Sequence, residues 1–395
     1  MAERVIVAGV GMTAFVAPSR SAPYPVLVAE AVCEALADAG LEFGDIGRAY
    51  AGYVYGDSTS GQRALYGLGM TGIPVFNVNN NCASGSTALM LAREAVLSGV
   101  HECVLALGFE QMPSGAITEK YADRPGPLEP FAEAARRNHG ESDAPLALRL
   151  FGGAARDYAA RHGLSPEGFA SIAVKSRRHA AANPRAVFRA PLTIEDVLAS
   201  PMLFDPLTRL QCCPPTCGAG AAVLVSDTFA RRRGIPRGVT IAAQAMATDA
   251  GNSLDGDMVS VVGDGMSRAA ARAVYSEAGI GPNDCQVIEL HDCFTSNEVV
   301  SYEALELVPP GDAGRMIFDG DNTYGGRYVV NPSGGLLSKG HPLGATGLAQ
   351  CYELVNQLRG RCGKRQVEGA RLALQHNIGL GGACVVALYQ KLDGV

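Results

Sequence analysis

Apolar positions along this chain fall into two rhythms. Short runs, Val5–Val10, Val75–Asn77, Cys103–Gly108 and Ala221–Val225, read as strands, and the longer stretches Val26–Ala39 and Ser84–Ser98 read as helices. The pattern returns in the second half. Val239–Ala245, Val287–His291, Leu372–Gln375 and Ala383–Tyr389 read as strands, and Ser267–Ala278, Asn297–Leu305 and Gly347–Leu358 as helices. Strands bounded by helices predict a layered α/β architecture with mixed sheets. The helices from Ser84 and Gly347 carry apolar or small residues on nearly every face (Ala88, Leu89, Ala92 and Val96; Leu348, Cys351, Leu354 and Val355). Such helices are buried ones, expected here between two sheets.

The two halves also resemble each other. Gly85-Ser86-Thr87-Ala88-Leu89 matches Gly344-Ala345-Thr346-Gly347-Leu348, and this register sets Cys82 opposite His341. Gly218-Ala219-Gly220-Ala221-Ala222-Val223 pairs with Gly379-Leu380-Gly381-Gly382-Ala383-Cys384, and Val5-Ile6-Val7-Ala8 with Val239-Thr240-Ile241-Ala242. In that register the first half carries about 98 extra residues between its buried helix and its last strand. The proline-rich segment 121–209 holds them and reads as an inserted loop or lid domain that builds a substrate surface. The expected division is 1–120 plus 210–236, then 121–209, then 237–395.

Composition narrows the class. The chain has 395 residues, 47% hydrophobic and 18% charged, with 48 glycines, which suits a large α/β enzyme and argues against disorder. A net charge of -6 gives no polybasic face for nucleic acid. Arg231, Arg232 and Arg233 form the clearest basic cluster, which reads first as a solvated face. No apolar stretch has the length of a membrane span and no signal peptide is evident, so a cytoplasmic protein is expected. The 11 cysteines lack a framework spacing and should be reduced. Cys212, Cys213 and Cys217 lie close together but lack the partners of a zinc site, so no metal is expected.

Four stretches carry reactive side chains. Cys82 precedes a buried helix by a residue or two, where free N–H groups and the helix dipole favour a thiolate. His341 falls at the matching helix start. Two helices meeting by their N-termini would bring Cys82 and His341 together as nucleophile and base, with the histidine neutral at rest. His291-Asp292-Cys293 ends a strand; strand alternation puts His291 and Cys293 on one face, with Asp292 opposite and structural. Gln375-His376-Asn377-Ile378-Gly379 follows another apolar strand. Its glycine backbone, with that of Cys82, could form an oxyanion hole, whereas His376 reads as a satisfied core histidine. Asn331-Pro332-Ser333-Gly334-Gly335 reads as turn chemistry with substrate contact left open. No Walker loop, His-Glu-x-x-His or Gly-x-Ser-x-Gly motif occurs.

Together these motifs resemble the thiolase superfamily over nearly the whole chain, most closely its sterol-carrier-protein type. The likeness rests on Asn77 to Leu89, Phe204-Asp205, Leu210 to Pro214, His291-Asp292-Cys293-Phe294, Asn331 to Leu348 and Leu374 to Asn377. It implies the five-layered αβαβα thiolase fold built from two similar halves with an inserted loop domain. It also implies a homodimer or tetramer, acyl-CoA thioester substrates, and coenzyme A as cosubstrate with no permanently bound cofactor. The lipid-transfer domain often fused behind this type is absent from the sequence. Most thiolases have Asn-Glu-Ala-Phe in place of His291-Asp292-Cys293-Phe294 and Cys-x-Gly in place of Asn377-Ile378-Gly379. The resemblance therefore moves the acid/base role to Cys293. It gives oxyanion roles to His291 with His341 and to the N–H groups of Cys82 and Gly379, with Asn377 supporting. Cys217-Gly218 departs from the usual Asp-Gly, with a bearing on the cofactor surface or on local capping.

The implied activity is that of an acyltransferase: a degradative 3-ketoacyl-CoA thiolase releasing acetyl-CoA or propionyl-CoA through an acyl-Cys82 intermediate. The alternatives are a condensing enzyme of the acetyl-CoA acetyltransferase kind, a retro-aldolase on the same fold, and, in another class, a non-catalytic acyl-CoA carrier or scaffold subunit. Three adjacent asparagines, Asn79–Asn81, so near a buried helix suggest a subunit interface beside the site, or else simple turn capping.

Overall fold

The computed structural model describes residues 3–115, 121 and 123–392. Its strands are β1 Val5–Met12, β2 Arg48–Gly52, β3 Val75–Val78, β4 Cys103–Glu110, β5 Met202–Phe204, β6 Leu207–Thr208, β7 Gly218–Ser226, β8 Val239–Ala247, β9 Val287–Glu289, β10 Val329–Val330, β11 Leu372–Gly379 and β12 Ala383–Lys391. Ten of them run in the order β10-β9-β11-β12-β8-β1-β7-β4-β2-β3. The order is two five-strand sets, each a copy of the other. β1 and β8 join them at a single register point, Ile6 opposite Thr240. Thr240 adds a hydroxyl bond to Val5 O at 2.7 Å.

Side-chain packing separates the layers. The helices Ser84–Leu97 and Thr346–Leu358 lie between the two sets: Ala88, Leu89 and Ala92 with Leu348, Cys351 and Leu354 share one core with Val7, Val104 and Leu224 of the first set and Ile241, Ala373 and Tyr389 of the second. On the outer face of the first set, Val28, Val32 and Ala35 of the Tyr24–Ala39 helix pack on Ala8, Ala221 and Val223. On the outer face of the second, Ala270 and Val274 of the Asp264–Ala278 helix pack on Ala243, Val386 and Leu388. These are the five αβαβα layers. Arg93, in the first central helix, crosses to the second set, bonding Ala242 O at 3.1 Å and Glu277 at 3.0 Å.

Several element ends differ from the periodicity reading. The strand Arg48–Gly52 is missed there because its small residues and glycine mimic a loop. Val287–Glu289 stops short of His291, so strand alternation does not by itself orient the residues beyond it. The strand Leu372–Gly379 runs through polar Gln375, His376 and Asn377, all buried and paired with β12. In the inserted segment, the helices Leu146–His162 and Pro166–Ala180 pack on the second half. Phe151 stacks on Phe294 at 4.9 Å, and Lys175 pairs with buried Glu298.

The two central helices meet by their beginnings, and glycine makes the contact possible. A Cβ on Gly85 would lie 2.5 Å from Gly344 O, and one on Gly344 2.5 Å from Phe109 O and 2.7 Å from Gly52 O. Because these neighbours are backbone, Gly344→Ala should lower stability by about 1–3 kcal/mol or more. Urea denaturation measures this, and a midpoint equal to the parent's would contradict the contact.

Candidate active site

Cys82 sits in a tight turn just before the Ser84–Leu97 helix. Asn81 is left-handed there (φ 51°), a conformation that asparagine tolerates. Asn81 Nδ2 donates to Leu380 O at 3.0 Å, Asn80 Nδ2 to Thr87 Oγ1 at 3.1 Å, and Asn79 Oδ1 accepts from the Asn81 amide at 3.1 Å. All three asparagines thus knit the turn.

His341 is held from both sides. Its backbone N–H donates to Thr216 Oγ1 at 2.6 Å. Its Nδ1 lies 2.7 Å from Thr346 Oγ1, and that hydroxyl donates its own proton to Pro342 O at 2.9 Å. The hydroxyl has one proton to give, so Nδ1 must be the donor and Nε2 keeps its lone pair. Nε2 is buried without a protein partner. The Cys82 sulfur and one nitrogen each of His291 and His341 lie within 4.8 Å of one another, and the two imidazoles meet edge to face at 5.0 Å.

The His291–Phe294 segment is anchored by what surrounds it. Asp292 accepts from the Leu336 amide at 2.7 Å, a structural position as expected. Cys293 O accepts from the Cys213 amide at 2.9 Å. Asn331 Oδ1 accepts from Leu290 N–H at 2.9 Å, and Ser333 bonds buried Glu289, so the Asn331–Gly335 turn braces this segment from behind. His376 Nε2 bonds Ser267 at 3.0 Å, while its Nδ1 is buried without a protein partner, so this core histidine is only half satisfied. Asn377 reaches His291 Nδ1 at 2.9 Å.

A pocket of about 410 Å³ opens on this group. Cys82, His291, Cys293 and His341 line it, joined by Cys213 and by apolar Met112, Leu148, Phe151, Phe294, Leu343, Ile378 and Leu380. Leu148 and Phe151 come from the inserted segment. Gly379 presses its Cα against Asn80, where a Cβ would lie 2.0 Å from the carbonyl oxygen. The Leu380 amide interacts with the Cys82 sulfur.

Burial dominates the electrostatics. It pushes the Cys82 thiol up to about 12, against the partial relief of the Leu380 N–H. The helix-start effect expected to favour a thiolate is outweighed. Burial likewise lowers His341 to about 3 and holds His291 well below the ordinary imidazole range, with the two neighbouring imidazoles adding to it. Cys293 is pushed well above the usual thiol value, by burial first and then by Cys213 and Cys82. The resting site is therefore neutral thiols beside neutral imidazoles.

Other expectations resolve plainly. Arg231, Arg232 and Arg233 pair with Asp227, Glu102 and Asp45 on a solvated face. Cys217 is buried and accepts from the Met112 amide at 3.1 Å, so it shapes a pocket wall. Among the described residues, the trio with metal-ligand spacing is Cys82, His291 and His341, and not Cys212, Cys213 and Cys217. Sequence reasoning passed over Thr346, although the internal repeat carries its signal. Thr87, its counterpart, also donates four residues back, to Ala83 O, and accepts from the turn before its helix. Cys213 carried no signal for the pocket apart from its neighbourhood.

The thiolase N-terminal domain family model matches residues 5–228, and the thiolase C-terminal domain-like model matches 250–389. The chain belongs to the thiolase family. It is 51% identical to human sterol carrier protein 2 over 393 residues, covering 98% of this chain and 72% of that protein. It is 36% identical to the acetyl-CoA acetyltransferase of Methanothermobacter thermautotrophicus over 372 residues, 92% of this chain and 94% of that one. Among solved structures, the Ltp2-ChsH2(DUF35) aldolase superposes with a TM-score of 0.82 at 26% identity, covering 98% of each chain. In this thiolase-family chain, the two matched domains hold one half of the site each: Cys82 in the first, and His291, Cys293 and His341 in the second.

A thiol raised to about 12 is almost wholly protonated at neutral pH. Alkylation of Cys82 by iodoacetamide, followed by peptide mass spectrometry, should rise about tenfold per pH unit from 7 to 9.5 without levelling off. A plateau reached near neutral pH would contradict the neutral resting site.

Proposed function

We propose that this chain is a 3-ketoacyl-CoA thiolase working in the degradative direction. The observation that carries the reading is a buried thiol within 4.8 Å of two histidine nitrogens, facing an apolar pocket that a second thiol also lines. Cys82 attacks the 3-keto carbon while His341 Nε2 takes its proton. The carbon–carbon bond breaks, and the departing enolate of acetyl-CoA or propionyl-CoA is protonated by the Cys293 thiol. The Cys293 thiolate then takes the proton of free coenzyme A, whose sulfur attacks the acyl-Cys82 thioester. The Cys82 sulfur recovers its proton from His341. His291 with His341, and the N–H groups of Cys82 and Gly379, stabilise the oxyanions. Met112, Leu148 and Phe151 supply the apolar wall for an acyl chain. Coenzyme A enters as a cosubstrate. The unpaired state of all 11 cysteines fits a reducing compartment, and the cytoplasm is the proposed location. No helix among the described residues is long and apolar enough to cross a membrane.

Two rival chemistries share this fold. Similarity to an acetyl-CoA acetyltransferase favours the reverse, condensing direction as a second reading. Similarity to an aldolase structure raises carbon–carbon cleavage without acyl transfer, against which the buried Cys82–His341 pair is the distinguishing feature.

Replacement of Cys82 by alanine separates acyl transfer from the aldolase reading. Cys82→Ala should abolish coenzyme A-dependent cleavage of acetoacetyl-CoA, with the fold intact by circular dichroism. Turnover within about tenfold of the parent, a barrier change of about 1.4 kcal/mol, would refute the nucleophile. Cys293→Ser should keep acylation of Cys82 but lose about 10²–10⁴-fold in overall turnover, the usual scale of a lost acid/base group.

We propose a homodimer formed through β3. It is one of the two edge strands of the sheet, and Phe76 on it is 45% exposed. An unpaired edge with an exposed aromatic residue invites a second copy. Sedimentation equilibrium at micromolar concentration should give twice 41.1 kDa or a higher multiple. A fully active single-chain species would sink the proposal.

A further inference from the structure

Behind His291 lies a chain of polar side chains that the mechanism above does not use. It begins at a fixed point. The Gly347 carbonyl can only accept, and Gln375 Nε2 lies 2.9 Å from it. Gln375 Nε2 has two protons, so with one on Gly347 O the other is free for Ser86, and Gln350 Oε1, farther off at 3.2 Å, only shares one of them. Tyr389 donates to Gln375 Oε1 on the other side. The amide of Gln375 is thereby locked, with its N–H groups facing Ser86.

Each later link follows from the one before. Gln375 Nε2 donates to Ser86 Oγ at 2.9 Å. The Ser86 proton then goes to Asn377 Oδ1, 2.7 Å away. That leaves Asn377 Nδ2 to face His291 Nδ1 at 2.9 Å as a donor. His291 Nδ1 must accept, so its single proton sits on Nε2. All four side chains are buried, and a reversed Asn377 amide would leave the Ser86 hydroxyl proton without an acceptor.

We propose that Gln375, Ser86 and Asn377 are positioning residues that hold His291 in the Nε2–H form. Resting on the acyl-transfer reading, this makes His291 a hydrogen-bond donor to the developing oxyanion, while His341, with its proton on Nδ1, is the acceptor. Two imidazoles at 5.0 Å are thus given opposite roles by what stands behind each. A second consequence concerns soft metal ions. Cys82, His291 and His341 have the spacing to close on zinc, but a ligating imidazole needs its lone pair toward the metal and an acceptor behind it. The Asn377 Nδ2 group is a donor, so the chain disfavours that closure.

Asn377→Asp reverses the last link. The carboxylate accepts from His291 Nδ1–H and leaves the Nε2 lone pair in the pocket. Its turnover should fall about 10²–10³-fold, the scale of a lost oxyanion donor, and its affinity for Zn²⁺ by isothermal titration should rise at least about tenfold. Ser86→Ala should give a smaller loss of kcat with KM little changed. Nitrogen-15 NMR of the histidine-labelled parent, with His291 assigned by its loss in His291→Asn, reads the tautomer without substrate. A protonated Nε2 is expected. A protonated Nδ1, or Asn377→Asp with parental turnover and parental zinc affinity, would overturn the proposal. A protonated Nε2 in a chain without thiolysis would instead overturn the function and leave the tautomer standing.

Discussion

The site depends on two helix beginnings that touch through backbone. Gly85 meets Gly344, and Gly347 leaves no more room than Ser86 fills: a Cβ there would lie 2.1 Å from Ser86 Oγ. Contacts this close between the two helix starts leave little freedom for the residues just ahead of each helix. Cys82 precedes one and His341 the other. The nucleophile and its base are therefore placed by the packing of the two halves against each other, and neither half holds the pair alone. Catalytic geometry set by rigid elements in this way is more reproducible than geometry set by loops.

Burial then sets the chemical state. Burial raises Cys82 to about 12 and lowers His341 to about 3, so an ion pair is disfavoured until substrate brings its own dipoles into the pocket. Proton transfer from Cys82 to His341 accompanies attack, when the new oxyanion has donors waiting. Thr346 behind His341 and Asn377 behind His291 decide which nitrogen of each ring holds a proton. Buried polar groups carry this information because an unsatisfied or reversed hydrogen bond is costly in a low-dielectric interior.

Much of this was legible in the sequence. The repeat that aligns Gly85 with Gly344 exposed both central helices, their all-round apolar faces placed them between two sheets, and the full αβαβα layering came from the thiolase resemblance. Cys82, His291, Cys293 and His341 were each visible as a reactive residue at the end of an apolar run, and the structure gathers all four at one pocket. What stayed hidden was of another kind. Polar Gln375, His376 and Asn377 masked the end of a buried strand because their hydrogen-bond partners are distant in sequence: Ser86 bonds Asn377 across the two halves. The burial of Cys82 could not be read, because a helix dipole is local and readable, whereas desolvation depends on the whole fold.

Covalent acyl transfer to Cys82 is the central claim, and intact-protein mass spectrometry tests it most directly. The parent protein mixed with acetoacetyl-CoA in the absence of free coenzyme A should gain the mass of one acetyl group, mapped to the peptide containing Cys82 and removed when coenzyme A is added. An unmodified chain under conditions where the substrate is cleaved would contradict the account.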